Sequence, residues 1–438
     1  MKESKYNFIF KDGEDNILYN SLTGAIAQIN DKEKKLIERR MFSDLEDMDD
    51  YIKEGFFIND EIDEIELIRH NMLCSKFNTD KLSIIIAPTM GCNFNCSYCF
   101  ENDIRSNVII NDKVIKSIYD FVDSKINTIS ELNITWYGGE PLLQINKIVE
   151  MSEFFLKLCH ENNVLYYSTM ITNGFLLNDE NSIKLRRCNI NTIQITLDGN
   201  EKTHDMQRRL KPNRPTYKKI IANIKENIDN LPNISIRINM TKNNIDSFYD
   251  IVDEIGNFDK KISIYLAKVE DYNCACNEDT YLINEEFLEE KIKFIQYYKN
   301  SDIDNMYPKE TPYYCSAQSI NSVVIDSEGY LYKCFVDIGY IKRSYGNILN
   351  ISKIDIKNTL NYLKFDPTYD EVCKNCKYLP LCMGGCPYKR NINKQENCIY
   401  FKGYIDKLLI NLINIEINRK KVIYKNIENE LADVGCVI

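Results

Sequence analysis

Cys92, Cys96 and Cys99 stand within eight positions of one another in "TMGCNFNCSYCFE", residues 89–101. A disulfide pairs two sulfurs and leaves the third over. A tetrahedral zinc site asks for four ligands. Three thiolates suit a metal centre that keeps one position open, and a four-iron cluster held by three cysteines has one iron without a protein sulfur. The competing reading of this spacing is a zinc knuckle completed by a distant cysteine. A second group runs Cys315-x13-Gly329-x4-Cys334, then Cys373-x2-Cys376-x5-Cys382-x3-Cys386, then Cys398. Seven thiols in one region point to metal again, the alternative to iron–sulfur clusters being a pair of zinc sites. Cys74, Cys159, Cys188 and Cys436 lack partners at ligand spacing and read as small buried hydrophobes.

The elements that must position these thiols follow from periodicity. Six apolar runs read as strands: 82–88, 132–137, 166–172, 192–197, 234–240 and 262–267. Helical patterns fall between them at 112–122, 145–160, 216–229 and 245–256. Strands alternating with helices predict an α/β fold with a parallel sheet and right-handed crossovers, either open or curled into an incomplete barrel. Chemistry then collects where strands give way to loops. The first strand runs into the three-cysteine loop, the second into "YGGEPLL", the third into "TNG" and the fourth into "LDG". Gly329, in "DSEGYLY", reads as a hairpin glycine. A helical tail is expected from 398 to about 430.

Residues 1–78 look separate. Three short strand patterns followed by two or three helices fit a small winged-helix module. Its 11 Lys and Arg face 18 Asp and Glu, the wrong balance for a DNA reader; a peptide could instead add a strand to its sheet edge. With 438 residues the chain should hold two or three domains. A net charge of −10 argues against nucleic acid. No apolar run is long enough to span a bilayer and the start lacks a signal peptide. The expected location is the cytoplasm, where 16 cysteines are better read as metal ligands or core residues than as disulfides.

"CNFNCSYCF" followed by "YGGEPLL" resembles the radical S-adenosylmethionine (radical SAM) enzymes. The resemblance implies that Cys92, Cys96 and Cys99 hold a [4Fe-4S] cluster whose free iron is chelated by SAM. It places SAM contacts at Tyr98, Gly138, Gly139, Glu140, Asn173, Asp198, Arg208 and Asn239, with Glu140 near the amino group and Arg208 on the carboxylate, which Arg can grip bidentately. "ITLDGNEKTHDMQRR" is similar to a subfamily pattern, although the glycine usual after its Arg is replaced in "LKPNRPTY". The later cysteines resemble the SPASM extension of this family. That implies one auxiliary cluster on Cys315, Cys334 and Cys386 and another on Cys373, Cys376, Cys382 and Cys398, three [4Fe-4S] clusters in all. The fourth ligand of the three-cysteine auxiliary cluster is Cys274, Cys276 or a substrate thiolate.

The resemblance implies an α/β partial (β/α)6 TIM-like barrel at 79–300, a winged-helix-like leader-recognition element at 1–78 and a SPASM domain with C-terminal helices at 301–438. The implied activity is a ribosomal-peptide maturase. It abstracts hydrogen from a precursor through a 5′-deoxyadenosyl radical and forms an intramolecular crosslink, a cysteine thioether. The alternatives are a sulfatase-maturating enzyme, a peptide epimerase or, outside enzymes, a zinc-bound peptide-binding scaffold. The implied partners are a precursor peptide and a flavodoxin- or ferredoxin-type electron donor, with no nucleic acid and no membrane.

Overall fold

The computed structural model describes residues 1–270 and 280–434, with the side chains described up to residue 420. Cys274, Cys276 and Cys436 therefore lie outside the described side chains. The first 78 residues form β1 (Lys2–Glu3), β2 (Asn7–Asp12), β3 (Asp15–Asn20), β4 (Ile26–Ile29) and β5 (Phe57–Ile58), with α1 (Asp31–Glu38), α2 (Met48–Lys53) and α3 (Glu64–Phe77). β2, β3 and β4 make an antiparallel sheet with β3 central, and β1 pairs with β5. Asn30 opens α1 with a capping box shared with Glu33. Leu18, Ile29, Ile37, Phe56 and Phe57 close a small core of their own.

Next come β6 (Lys81–Ile86), β7 (Phe94–Cys96), α4 (Asp112–Ile126), β8 (Glu131–Trp136), α5 (Ile145–Glu161), β9 (Leu165–Thr172), α6 (Asp179–Arg187), β10 (Thr192–Thr196), α7 (Glu201–Gln207), β11 (Arg208–Leu210), α8 (Tyr217–Asn227), β12 (Asn233–Met240), α9 (Phe248–Ile251), β13 (Ile262–Lys268) and α10 (Asn284–Tyr297). The expected strands match β6, β8, β9, β10, β12 and β13 to within a residue or two, and all pair in parallel with their sheet neighbours. Their buried side chains alternate, as in β6, where Leu82, Ile84 and Ile86 point into the core. The helical pattern at 245–256 is broken: α9 has a 3-10 stretch before it and a π turn after it. Three helices of this stretch, α6, α7 and α10, escaped the periodicity reading. Both α6 and α7 begin at an Asn cap, Asn178 and Asn200, but α6 is mostly polar.

The last third holds β14 (Ser322–Ile325), β15 (Tyr330–Tyr332), β16 (Gly346–Asn347), α11 (Ile356–Leu363), α12 (Leu379–Cys382) and α13 (Ile405–Val434). The helical tail begins at Ile405, not at 398. The hairpin around Gly329 is present. β14 also pairs in parallel with β6, so one nine-stranded sheet runs β13-β12-β10-β9-β8-β6-β14-β15-β16. Sequence reading kept the barrel and the hairpin apart because strand partners 239 positions apart, such as Ser83 and Ser322, leave no local pattern. The chain is an α/β protein with an incomplete, unclosed barrel sheet. None of the described helices is long and apolar enough to cross a membrane.

The first 78 residues also pack on the late cysteine region. Tyr6, Ile68 and Met72 share a core with Leu379 and Met383. The Phe8 and Tyr378 rings meet edge to face at 5.0 Å, Ser21 Oγ donates to the Lys377 carbonyl at 2.5 Å and Lys377 Nζ to the Asn7 carbonyl at 2.6 Å.

Candidate active site

The loop after β6 carries all three early cysteines, and Cys92, Cys96 and Cys99 line one cavity of about 430 Å³ at the C-terminal ends of the strands. β7 lies inside this loop and pairs antiparallel with β11, setting Arg208 opposite Cys96. Burial raises the Cys96 thiol and pushes Cys92 up to about 12, with the Glu140 carboxylate adding to the shift at Cys92. Buried thiols of this kind ionise when a cation meets them, and a bound metal deprotonates its thiol ligands outright.

The "GG" after β8 is required by contact. A Cβ on Gly138, whose φ is +108°, would lie 2.4 Å from the Thr89 carbonyl oxygen, and one on Gly139 would lie 2.3 Å from that of Gly91. The turn therefore presses on the backbone leading to Cys92, where Glu140 N donates to the Gly91 carbonyl at 2.9 Å. Gly138 and Gly139 line the cavity. The Glu140 side chain instead turns inward and is fully buried. Its oxygens accept from Leu142 N at 3.0 Å, Thr172 Oγ1 at 2.6 Å and Asn173 N at 2.8 Å, so it ties the ends of β8 and β9 together.

A polar network closes the other wall. Tyr98 donates its hydroxyl to Asp198 and accepts from Arg208 Nη1 at 2.7 Å and Asn239 Nδ2 at 3.3 Å. Burial raises the Asp198 carboxyl against the opposing pull of the Arg208 guanidinium. Arg208 Nε and Asp198 Oδ1 are buried with no hydrogen-bond partner among the described residues. Such orphans mark a place built for a polar ligand. Asn173 lines the cavity with Nδ2 on Asn93 Oδ1 at 2.8 Å. The eight expected SAM-contact residues thus all lie around this end of the barrel, six of them on the cavity wall, with Glu140 and Asp198 behind it. His204 is structural: it accepts from Asp198 N at 3.3 Å and meets Thr216 Oγ1 at 3.1 Å.

Sequence reading missed part of the wall. Glu101, Arg105, Tyr137 and Phe335 all line the cavity. Glu101 is buried and hydrogen-bonded to Tyr137, and burial raises its carboxyl. Phe335 follows Cys334, and its ring meets those of Phe100 at 6.3 Å and Tyr137 at 5.7 Å. The late cysteine region thereby supplies one face of the early site. The aromatic Phe100 just after Cys99 was the available signal.

The late cysteines fall into two sets. Cys334 and Cys386 are buried in an apolar cluster with Tyr362 and Tyr388, and Cys315 packs against it. Cys373, Cys376, Cys382 and Cys398 are near enough to disturb one another electrostatically, and burial pushes Cys382 up to about 12. Lys402 Nζ lies 3.3 Å from Cys398 Sγ and Arg390 Nη2 3.6 Å from Cys373 Sγ, cations placed to stabilise thiolates. A Cβ on Gly385 would overlap the Asn397 carbonyl, so glycine lets the segment bearing Cys398 approach Cys386. Every described cysteine is free of disulfide.

Comparison with known proteins fits this arrangement. Residues 86–255 match the family model of the radical SAM superfamily. A cysteine-type anaerobic sulfatase-maturating enzyme of Clostridium novyi is 28% identical over 371 residues, covering 74% of this chain and 95% of that protein. The radical SAM cyclopropyl synthase TigE of Paramaledivibacter caminithermalis is 24% identical, covering 96% of this chain and 97% of that one. Among solved structures, native anSMEcpe with bound AdoMet superposes with a TM-score of 0.58 at 21% identity over 79% of this chain and all of that one. Streptococcus suis SuiB bound to its precursor peptide SuiA gives 0.50 at 17% identity over 92% and 99%. Three thiols in a cavity at the strand ends, a glycine turn against their loop and a matching family model agree: the chain carries a radical SAM domain over residues 86–255 and is an enzyme.

Proposed function

We propose that the chain is a peptide maturase that closes a crosslink in a ribosomally made precursor. The observation that carries this reading is the cavity that joins the three early thiols, Arg208, whose Nε has no partner among the described residues, and Phe335 from the late cysteine region. Cys92, Cys96 and Cys99 hold a [4Fe-4S] cluster with SAM at its open iron. When bound, this pair supplies a 5′-deoxyadenosyl radical through one-electron cleavage of the sulfonium.

The protein's own groups do the positioning. Arg208 would hold the SAM carboxylate, Tyr98 orients the guanidinium and is itself held by Asn239, and Asp198 balances the charge. Gly138 and Gly139 leave room for the methionine moiety, and Glu140 braces the loop that carries them. Cys315, Cys334 and Cys386 hold a second cluster and Cys373, Cys376, Cys382 and Cys398 a third. Phe335, Phe100 and Tyr137 keep water from the reacting carbon. Residues 1–78 form the leader-recognition element, 79–300 the barrel and 301–438 the auxiliary domain. The leader adds a strand to β4, the sheet edge opposite β2.

The crosslink is a thioether: the carbon's hydrogen atom would pass to the 5′-deoxyadenosyl radical, the thiol would lose a proton, a C–S bond would form and the one remaining electron would leave to the cluster that the late cysteines would hold, so the product is lighter by two hydrogen atoms. The match to a cyclopropyl synthase over 96% of the chain supports a second reading, a carbon–carbon ring closure with the same mass change. The sulfatase-maturase match covers less, 74%. The test is incubation of a cysteine-rich precursor, encoded beside this chain, with the anaerobically reconstituted enzyme, SAM and dithionite. The thioether reading expects loss of two hydrogens and of one thiol reactive to iodoacetamide. Loss of two hydrogens with every thiol still reactive selects the ring closure, and an unchanged mass with solvent deuterium at a Cα selects epimerisation.

A further inference from the structure

Residues 341–364 carry an unusual surface. Ile341, Leu349, Ile351, Ile354, Ile356 and Leu360 are between 42% and 60% exposed, an apolar patch of the kind that marks an interaction site. The same stretch holds Lys342, Arg343, Lys353, Lys357 and Lys364 against one acid, Asp355, in a chain of net charge −10. Asp355 is engaged in capping α11, accepting from Lys357 N at 3.0 Å.

Hydrogen bonds tie the stretch together. Asn358 Nδ2 donates to the carbonyls of Lys342 at 3.1 Å and Ser344 at 2.8 Å, and Asp355 N donates to that of Tyr345 at 2.6 Å. Ile356, Leu360 and Lys364 follow at helical spacing along one side of α11. Lys342, Lys353, Lys357 and Lys364 are all exposed.

What lies beneath the face decides the partner. Tyr362, on the inner side of α11, is buried, and its hydroxyl donates to Asp337. Arg343 reaches the same Asp337 at 3.4 Å and donates to the Tyr388 hydroxyl at 2.8 Å. Tyr362 and Tyr388 pack in one apolar cluster with Cys334 and Cys386. A single layer of side chains therefore separates the basic, apolar face from the thiols of the three-cysteine auxiliary set.

We propose that residues 341–364 form the docking surface for a small, acidic, one-electron carrier protein. This rests on the reading of Cys315, Cys334 and Cys386 as cluster ligands. Opposite charge speeds encounter and sets orientation, while a modest apolar patch keeps the contact transient. An anionic membrane would also meet lysines and apolar side chains, but nothing in membrane attachment calls for the patch to lie over the thiols.

The test measures binding directly. An acidic flavodoxin is titrated against the reconstituted enzyme by calorimetry at low and high ionic strength, with a Lys342→Glu/Lys353→Glu/Lys357→Glu variant and, separately, Ile356→Gln/Leu360→Gln. The expected results are wild-type binding that weakens with salt and an affinity at least about tenfold lower in the charge-reversed variant. Dithionite-driven SAM cleavage by each variant stays at the wild-type rate, which separates failure of docking from failure of the enzyme reading. Equal affinity in wild type and charge-reversed variant overturns the proposal. So does binding of wild type but not variant to phosphatidylglycerol vesicles while flavodoxin affinity is unchanged.

Discussion

The early and late cysteines are held in different ways. Cys92, Cys96 and Cys99 sit on one loop, between β6 of a nine-stranded sheet and a glycine turn that presses on their backbone. The core beneath them is built from barrel side chains, with Ile84, Ile86, Trp136 and Ile195 all buried. The late cysteines span residues 315–398 on 3-10 turns, a four-residue α12 and loops, over the small core around Tyr362 and Tyr388. The first site is a pocket that the fold builds and a cluster fills. On the proposed reading the second is a region that auxiliary clusters would help to fold, because metal binding there would be folding free energy.

Removing iron should break the two regions unequally, and this is the largest effect expected. Chelated protein should keep the far-ultraviolet circular dichroism of the barrel while residues 364–404 become the first sites of limited proteolysis. Equal protection of that segment with and without iron would erase the contrast. Replacing Cys92, Cys96 and Cys99 with Ala should remove about four irons per chain and abolish 5′-deoxyadenosine formation, leaving the proteolysis pattern of the late region intact.

Smaller changes sharpen the same contrast. Gly139→Ala forces a Cβ onto the Gly91 carbonyl and should cost about 2 kcal/mol in chemical denaturation, with SAM affinity falling alongside. Arg208→Lys keeps the charge but loses the planar fork, and should weaken SAM binding about tenfold at unchanged iron content. Asp205→Ala touches neither site. Asp205 Oδ1 accepts from Thr216 N at 2.7 Å and Tyr217 N at 2.9 Å at the start of α8, so its loss should cost about 1 kcal/mol of stability and leave SAM binding alone.

The barrel strands were legible because Leu82, Ile84 and Ile86, and their counterparts in β8 to β13, are bounded apolar runs. The cysteines were legible because their spacings are short and local. What escaped depends on distant partners. The parallel pairing of β14 with β6, and the contact of Phe335 with Phe100 and Tyr137, leave no periodic trace. The inward turn of Glu140 was hidden because one carboxylate serves equally as ligand or as brace, and only the placement of Thr172 and Asn173 decides between them. The packing of residues 1–78 on Lys377 and Tyr378 likewise rests on surface fit, which a charge count over the module does not reveal.

The account rests on an iron that the three early thiols leave open to SAM. Anaerobically reconstituted enzyme with full iron, given SAM and dithionite, should release methionine and 5′-deoxyadenosine in equal amounts. Full iron occupancy with intact SAM would contradict it.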